Sequence, residues 1–204
     1  AYARHAVALL DHLKIDRAFV IGGCMGVSVA LAIGARYPQR VRGLLLHWPV
    51  GGYRWLLKGQ TYFQRHMDFV RANGFAAVVK RAPEKRSFWE DAEIGPWGPP
   101  TVHDAEFAAA YVRQDMDRYF NICEQTRDAL FNDTQFSGAG PAALMKMDIP
   151  ALILSGNDSS HAHSASWATK ELMPNAELWD VLPPHQNGQN TLEQILKFKF
   201  RLGL

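Results

Sequence analysis

The chain has 204 residues, a formal net charge of +2, 48% hydrophobic residues and 21% charged residues, which is typical of a globular protein with one core of ordinary size. The small net charge and the lack of a basic stripe argue against a nucleic-acid-binding surface, and no apolar run approaches the roughly 18 residues of a membrane span. Two cysteines are too few for a disulfide framework, which favours a reducing, cytoplasmic location.

The N-terminal part of the chain predicts a helix, a strand and a second helix joined by a sharp turn. Residues 2–13 carry apolar side chains at helical spacing, and the apolar run Ala18-Phe19-Val20-Ile21 is typical of a strand. The turn Gly22-Gly23-Cys24-Met25-Gly26 comes next, before a helical run that ends at Pro38 and a strand over 41–46.

This turn places a thiol between glycines at the spacing that a nucleophile elbow requires. Glycines two positions either side of the apex let the strand and the helix approach closely, while the apex residue adopts strained backbone angles. The N-terminus of the helix favours a thiolate at the apex. Cys24 is therefore the candidate nucleophile, with a buried structural cysteine as the alternative, and Cys123 is expected to be buried in a helical stretch.

The middle of the chain, residues 53–145, has almost no strand signal. Helices are predicted over 53–73, 75–81 and 104–131, with the rigid loop Gly95-Pro96-Trp97-Gly98-Pro99-Pro100 among them. We expect this segment to form a helical domain, inserted into a core made of residues 1–52 and 146–204.

The C-terminal part alternates strands with helices, which predicts a parallel sheet covered on both faces. A strand over 149–154 is followed by Asp158, and a strand over 176–181 is followed by a loop that carries His185 and then by an amphipathic helix. An imidazole exchanges protons near neutral pH and a carboxylate can fix its tautomer, so we predict His185 as general base and Asp158 as its orienting acid. The alternatives are a solvated loop histidine and a helix N-cap, and Asp180, which is expected within a strand, is the second choice of acid.

These segments resemble the α/β-hydrolase superfamily. The resemblance rests on residues 5–52 and 148–202, in which the family's order of nucleophile, acid and histidine would be Cys24, Asp158 and His185. One departure is Val27, where the family usually has a second small residue after the elbow. The resemblance implies a mostly parallel α/β sheet, a helical cap over Cys24 and a backbone N–H of Met25 that serves as one oxyanion-hole donor.

The resemblance also implies that the N-terminal strands of the usual domain are absent from this chain. In the family, about the first third of the domain precedes the elbow and supplies the second oxyanion-hole donor. We therefore expect this chain to be the C-terminal portion of a longer protein. An upstream segment or a second polypeptide would supply the missing strands.

Aromatic and histidine residues cluster where the core is expected to meet the cap. Trp48, Trp55 and Trp97 are predicted to line the substrate pocket, with a plain core role as the alternative. His47 ends its strand and is either a pocket residue or a structural one. His161 and His163 form a His-x-His pair, but no further ligand at a recognisable spacing completes a metal set, so no metal site is predicted.

The predicted function is hydrolysis of an ester, thioester or lactone through a Cys-His-Asp triad and an acyl-cysteine intermediate. A small acyl compound is the expected substrate, and no cofactor, nucleic-acid partner or membrane partner is expected. Two alternatives stay open: an acyltransferase that uses the same triad, and an α/β-hydrolase-fold protein that binds a ligand without turnover.

Overall fold

The computed structural model describes residues 2–85, 87–131 and 138–203. The chain divides into two compact units. The first comprises Ala1–Trp55 and Thr134–Leu204, and the second comprises Leu56–Asp133. All the strands of the described residues belong to the first unit, and the described part of the second unit is built from helices and turns.

In the described residues, the first unit is built on a parallel sheet of four strands. These are β1 (Ala18–Gly23), β2 (Val41–His47), β3 (Ala151–Leu154) and β4 (Ala176–Trp179), which lie side by side in chain order. β2 and β3 are almost entirely buried because they lie inside the sheet, which explains the apolar runs Leu44-Leu45-Leu46 in β2 and Ala151–Leu154 in β3. The predicted α/β fold with a parallel sheet is confirmed, and β1 forms one edge of the described sheet.

Helices precede, separate and follow the strands. In chain order they are α1 (Tyr2–His12), α2 (Met25–Arg36), α3 (Tyr53–Asn73), α4 (Phe75–Arg81), α5 (Pro100–His103), α6 (Ala105–Val112), α7 (Met116–Leu130), α8 (Pro141–Met145), α9 (His163–Leu172) and α10 (Gly188–Arg201). None of the helices in the described ranges is both long enough and apolar enough to cross a membrane.

Both faces of the sheet carry a buried apolar layer. Leu44 and Leu46 point to one face, where they pack in a cluster with residues of α1 and α2. Leu45 points to the other face and belongs to a cluster with Phe198 of α10, whose ring centroid lies 6.0 Å from that of Phe19. This separation follows from the alternation of side chains along a strand.

The prediction of one long helix over 104–131 is wrong. The structure divides this stretch into α6 and α7, with a break of three residues that ends at Asp115. The Asp115 carboxylate accepts the backbone N–H of Arg118 at 2.8 Å and so begins a new helix as its N-cap. Asp104 begins α6 in the same way, through the N–H of Phe107.

A chain of buried polar side chains lies inside the second unit. His66 Nδ1 donates to the carbonyl oxygen of Glu93 at 2.9 Å, so Nε2 is the acceptor of the Tyr119 hydroxyl at 2.5 Å. The hydroxyls of Tyr111 and Tyr119 lie 2.9 Å apart. Burial lowers the pKa of His66 to about 4 and raises the pKa of both tyrosines, so all three side chains are neutral at physiological pH.

Candidate active site

The elbow that the sequence predicts is present at the junction of β1 and α2. Cys24 stands between Gly23, the last residue of β1, and Met25, the first of α2. Its backbone has φ 53° and ψ −123°, a combination that residues with a side chain rarely adopt. The N–H of Cys24 donates to the carbonyl oxygen of His47 at 3.0 Å, which ties the apex to β2. The thiol is exposed at the apex.

The residues that flank the apex explain why the turn can be this sharp. A Cβ on Gly22 would overlap the backbone carbonyl of Gly26, so only glycine fits where the strand passes the start of the helix. By contrast, a Cβ on Gly26 would meet no atom within 4 Å. Val27, the departure from the family pattern, is 2% exposed and packs into the core beneath α2.

Met25 supplies the backbone N–H that follows Cys24. Because Met25 is the first residue of α2, this N–H has no acceptor within the helix. The same helix end carries a partial positive charge that stabilises an anion at the apex. The role of Met25 as an oxyanion-hole donor stays a prediction.

The carboxylate of Asp158, in the loop after β3, is held by the loop itself and by a histidine that the sequence did not assign to it. Oδ2 accepts Nδ1–H of His161 at 2.8 Å, and Oδ1 accepts the backbone N–H groups of Ser160 at 2.7 Å and of His161 at 2.9 Å. Burial raises the pKa of Asp158, but these hydrogen bonds outweigh burial and hold the pKa below its ordinary value. Asp158 is not the N-cap of α9, which is Ala162.

His185 ends a short 3₁₀ turn, Pro183–His185, and its side chain is exposed. Within the described ranges, no hydrogen bond joins any two of Cys24, Asp158 and His185. The catalytic roles of these three residues therefore stay predictions. The pairing of Asp158 with His161 gave no clear signal in the sequence beyond the spacing Asp-x-x-His.

Gln186, the residue after His185, attaches the loop after β4 to the C-terminal ends of the strands. Gln186 accepts the indole N–H of Trp48 at 2.8 Å and donates to the carbonyl oxygens of Ser155 and Val181, both at 2.6 Å. Trp48 itself has φ 55°, a strained conformation at the end of β2. Sequence reasoning did not single out Gln186, whose three hydrogen bonds join the ends of β2, β3 and β4.

Trp48 lies between two histidines. Its ring stacks on that of His47, with centroids 5.1 Å apart, and its centroid lies 5.8 Å from that of His161. Burial lowers the pKa of His47, and the neighbouring His161 lowers it further. His47 also lies beside the elbow, because its Nδ1 is 3.9 Å from where a Cβ on Gly23 would be.

A cavity of about 470 Å³ opens next to this cluster. Its lining includes His47, Trp48, Gln186, Thr191, Leu192 and Ile195. A volume of this order suits a small organic ligand, and one wall is the apolar side of α10. The structure thus places Trp48, a predicted substrate-binding residue, at a cavity, while its contact with a substrate stays a prediction.

The other predicted residues lie elsewhere. Trp55 is a half-buried residue of α3, and Trp97 lines a cavity of about 320 Å³ within the second unit. Asp180 lies just beyond β4 rather than inside a strand, and it accepts Nε2–H of His163 at 2.5 Å. His161 and His163 thus bind different carboxylates, and the described residues contain no group of three or more potential metal ligands.

Residues 1–184 match the sequence profile of the α/β hydrolase fold family. The chain belongs to this family. The elbow of Cys24, on the strand-to-helix turn of a parallel sheet, is the structural feature of α/β hydrolases that the sequence predicted.

Two curated relatives match short segments of the chain. It is 45% identical over 47 residues to the 2-hydroxymuconate semialdehyde hydrolase of Pseudomonas sp. (strain CF600), a segment that covers 23% of this chain and 17% of that enzyme. It is 48% identical over 44 residues to the homoserine O-acetyltransferase of Thermus thermophilus, a segment that covers 22% of this chain and 12% of that enzyme. The matched segments therefore span well under two thirds of these relatives.

Solved structures of α/β hydrolases match nearly the whole chain at low identity. The enol-lactonase from Burkholderia xenovorans LB400 has a TM-score of 0.51 and 18% identity, over 97% of this chain and 71% of that chain. The α/β hydrolase MGS-M2, from a Medee basin deep-sea metagenome library, has a TM-score of 0.55 and 16% identity, over 96% of this chain and 70% of that chain. At such identities the likeness shows the fold alone.

Proposed function

We propose that this protein hydrolyses an ester, thioester or lactone with Cys24 as the nucleophile. The observation that carries the proposal is the backbone of Cys24, a residue with positive φ and an exposed thiol at the start of α2. Strain of this kind persists only where the surrounding structure enforces it, and such strain clusters at active sites. Family membership and the hydrolase name of one matched relative support hydrolysis as the reaction.

The proposed reaction has two halves. The Cys24 thiol loses its proton to a histidine at the carboxyl edge of the sheet, and the sulfur attacks the carbonyl carbon of the substrate. The tetrahedral oxyanion is stabilised by the N–H of Met25 and the N-terminus of α2. The intermediate collapses to an acyl-cysteine, and the leaving alcohol or thiol takes the proton back from the imidazole. Water then attacks the acyl-cysteine as the same histidine takes its proton. The carbon–sulfur bond breaks and releases the acid, and the proton returns from the imidazole to the Cys24 sulfur.

The sequence assigns the histidine role to His185 and the orienting role to Asp158. The proposal that Cys24 is the nucleophile rests on the elbow and does not depend on either assignment. We propose Trp48 as part of the acyl-binding wall, because it lies at the cavity beside α10. A binding role for Trp55 and Trp97, and a cap formed by residues 53–145 that closes over Cys24, remain part of the proposal as the sequence predicts them.

Acyl transfer is the second candidate function. It uses the same acyl-cysteine, which an alcohol or thiol would attack in place of water. The observation that favours it is the 48% identity to a homoserine O-acetyltransferase over 44 residues. Product analysis in the presence of a competing alcohol distinguishes the two, because a hydrolase releases the free acid and a transferase releases a new ester.

The test is replacement of the nucleophile. We expect Cys24→Ala to abolish hydrolysis of 4-nitrophenyl acetate and Cys24→Ser to leave a trace of activity, since serine needs stronger base assistance. Mass spectrometry of the wild-type protein mixed with the ester should show an acetyl group on the Cys24 peptide. Cys123→Ala serves as the control, because Cys123 is fully buried in the second unit.

Two results would contradict the proposal. One is a Cys24→Ala variant that keeps wild-type activity. The other is an inert Cys24 thiol in a protein that turns over no ester, thioester or lactone, which would support the ligand-binding alternative instead.

A further inference from the structure

The cavity of about 320 Å³ in the second unit lies at the break between α6 and α7. Its lining comes from both helices, from the break itself and from the loop before α5, and includes Trp97, Phe107, Tyr111, Gln114, Tyr119 and Ile122. All of the lining residues belong to the second unit. The cavity is therefore a different one from that beside Trp48, which is lined by residues of the first unit.

Aromatic rings form the walls of this cavity and hold one another in place. The ring of Tyr119 meets the rings of Trp97 and Tyr111 edge-on, with centroids 5.6 Å and 5.7 Å apart. Phe107 stacks on Tyr111 with a centroid separation of 6.2 Å. Because Tyr111 is only 4% exposed and Tyr119 only 3%, these rings have little freedom to rotate. The walls are thus preformed, and they suit a flat apolar group.

The lining of this cavity carries no charge. Among the described residues it contains no Asp, Glu, Lys or Arg side chain. Burial raises the pKa of Tyr111 and of Tyr119, so both stay protonated at physiological pH. Their protons are used inside the protein, since Tyr119 donates to Nε2 of His66 and Tyr111 therefore donates to Tyr119. A charged molecule would lose its hydration here without gaining a partner charge, so the cavity favours an uncharged one.

The side-chain amide of Gln114 offers this cavity a buried hydrogen-bond donor. Its Nε2 is buried and has no hydrogen-bond partner within the described part of the chain. Gln114 directly precedes Asp115, whose N-cap bond begins α7, so the helix break holds the backbone of Gln114 at the cavity. Buried polar atoms are nearly always paired, and an acceptor on a bound molecule would pair this N–H.

We propose that this cavity is a second binding site, for a small uncharged aromatic molecule whose carbonyl oxygen accepts the N–H of Gln114. The cavity has about twice the volume of an engineered cavity that binds benzene, so it can hold one ring with a short substituent. Water alone would pair Nε2 but would leave the aromatic walls wet, which is unfavourable. The inference goes beyond the proposed function, because binding here requires neither the Cys24 thiol nor a catalytic histidine.

The test is an NMR titration of the intact protein with three probes, observed at the side-chain amide of Gln114. Acetophenone has one ring and one carbonyl, α-methylstyrene has the same shape with CH₂ in place of the oxygen, and benzoate adds a charge. We expect acetophenone at up to about 1 mM to shift the Gln114 amide protons in a saturable way. α-Methylstyrene should bind about threefold to tenfold more weakly, since it cannot accept the hydrogen bond. Benzoate should bind at least about tenfold more weakly, since its charge would be buried unpaired.

Two variants with matched controls locate the site, with saturation transfer to the ring protons of acetophenone as the measurement. Gln114→Met keeps the length of the side chain without its donor, so it should weaken binding by about threefold to tenfold and remove the preference over α-methylstyrene. Its control is Gln125→Met, on the exposed side of α7.

The second variant blocks the mouth of the cavity. Ala110 is an exposed lining residue of α6, and Ala110→Trp should weaken acetophenone binding at least about tenfold through steric overlap. Ala109→Trp is the control, since Ala109 is exposed on the same helix outside the lining. Urea denaturation of every variant checks that it is folded.

The inference is overturned if the Gln114 amide does not shift, if α-methylstyrene binds as tightly as acetophenone, or if Gln114→Met binds acetophenone as the wild type does. Equal losses in Ala110→Trp and Ala109→Trp would also overturn it, because the effect would then not come from the cavity. The proposed function is tested separately, since Cys24→Ala should abolish ester hydrolysis and leave acetophenone binding unchanged. A failure of the nucleophile and a failure of this binding site thus give different results.

Discussion

The two cysteines of the chain occupy opposite environments, from which we predict different reactivities. Cys24 is exposed at the N-terminus of α2, whereas Cys123 is fully buried. Burial raises the pKa of Cys123 to about 11, although its hydrogen bond with Tyr119 opposes this effect. The thiolate is the nucleophile of a cysteine, so accessibility and local charge both favour Cys24.

We expect iodoacetamide to modify Cys24 well before Cys123 at neutral pH. Peptide mass spectrometry over a time course gives the two rates, and labelling of Cys123 should appear only when denaturant opens the second unit. Equal rates under native conditions would count against a reactive thiol at the elbow.

The glycines of the elbow provide a second test at the residue scale. Gly22→Ala should destabilise the fold by about 1–3 kcal/mol, because the added Cβ overlaps the carbonyl of Gly26 and the backbone must move. Gly26→Ala should be neutral or stabilise by up to about 1 kcal/mol, since the site is open and alanine favours the helix. Urea denaturation of both variants checks the difference, and a tolerated Gly22→Ala would mean that the strand and helix are not in close contact there.

Single residues were predictable where the backbone alone defines them. The glycine spacing predicted the apex at Cys24, because few sequences permit a strained residue between a strand and a helix. The partner of Asp158 was not predictable in the same way. His161 and His185 both follow strands. Which of the two bonds to Asp158 depends on how the loop after β3 folds, and Gly156 of this loop lies against His161.

At the scale of elements, the strands and the first helices of the middle segment followed from their apolar patterns. The boundaries of α3 and α4 agree with the periodicity, and the break between α6 and α7 does not. Apolar residues keep a helical spacing across that break. The N-cap hydrogen bond of Asp115 nevertheless begins a separate helix there. A single side-chain hydrogen bond can thus divide a helix that periodicity predicts to be continuous.

His66, a buried histidine of α3, predicts a pH-dependent stability for the second unit. The pKa of His66 is about 4 in the folded protein and 6.5 when exposed, so the unfolded chain takes up the proton first as pH falls. Stability should be complete above pH 6.5 and should decline by up to about 3 kcal/mol between pH 6.5 and pH 4. Loss of the hydrogen bond from Tyr119 would accompany protonation of Nε2.

We expect His66→Gln to flatten this pH dependence while lowering stability at pH 7, because the amide does not titrate and fits the two bonds less well. Urea denaturation at pH 7 and pH 5, followed by tryptophan fluorescence, measures both effects. His103→Gln is the control for loss of an exposed histidine of the same unit. A wild-type stability that is equal at the two pH values would contradict the prediction.

At the scale of the whole molecule, the sheet has an edge that its flanking helices do not conceal. Among the described residues β1 pairs with β2 on one side only, and Ile21 of β1 is 64% exposed. The helices on both faces carry further exposed apolar side chains, among them Leu9 on α1 and Leu192, Leu196 and Phe200 on α10. A bare edge with apolar flanks is a template for pairing with another strand and a liability for aggregation.

We therefore expect additional strands to pair with β1 beside Phe19 and Val20, supplied by an upstream segment or by a second polypeptide. Hydrogen exchange should find the outward amides of β1 as protected as those bonded to β2, because an occupied edge leaves no backbone group open to water. Ile21→Lys should weaken this association, which size-exclusion chromatography with light scattering would detect. Met145→Lys is the control, since Met145 is 62% exposed on α8, away from the edge. Fast exchange of the outward β1 amides in a soluble monomer would show that β1 is a stable edge strand without a further partner.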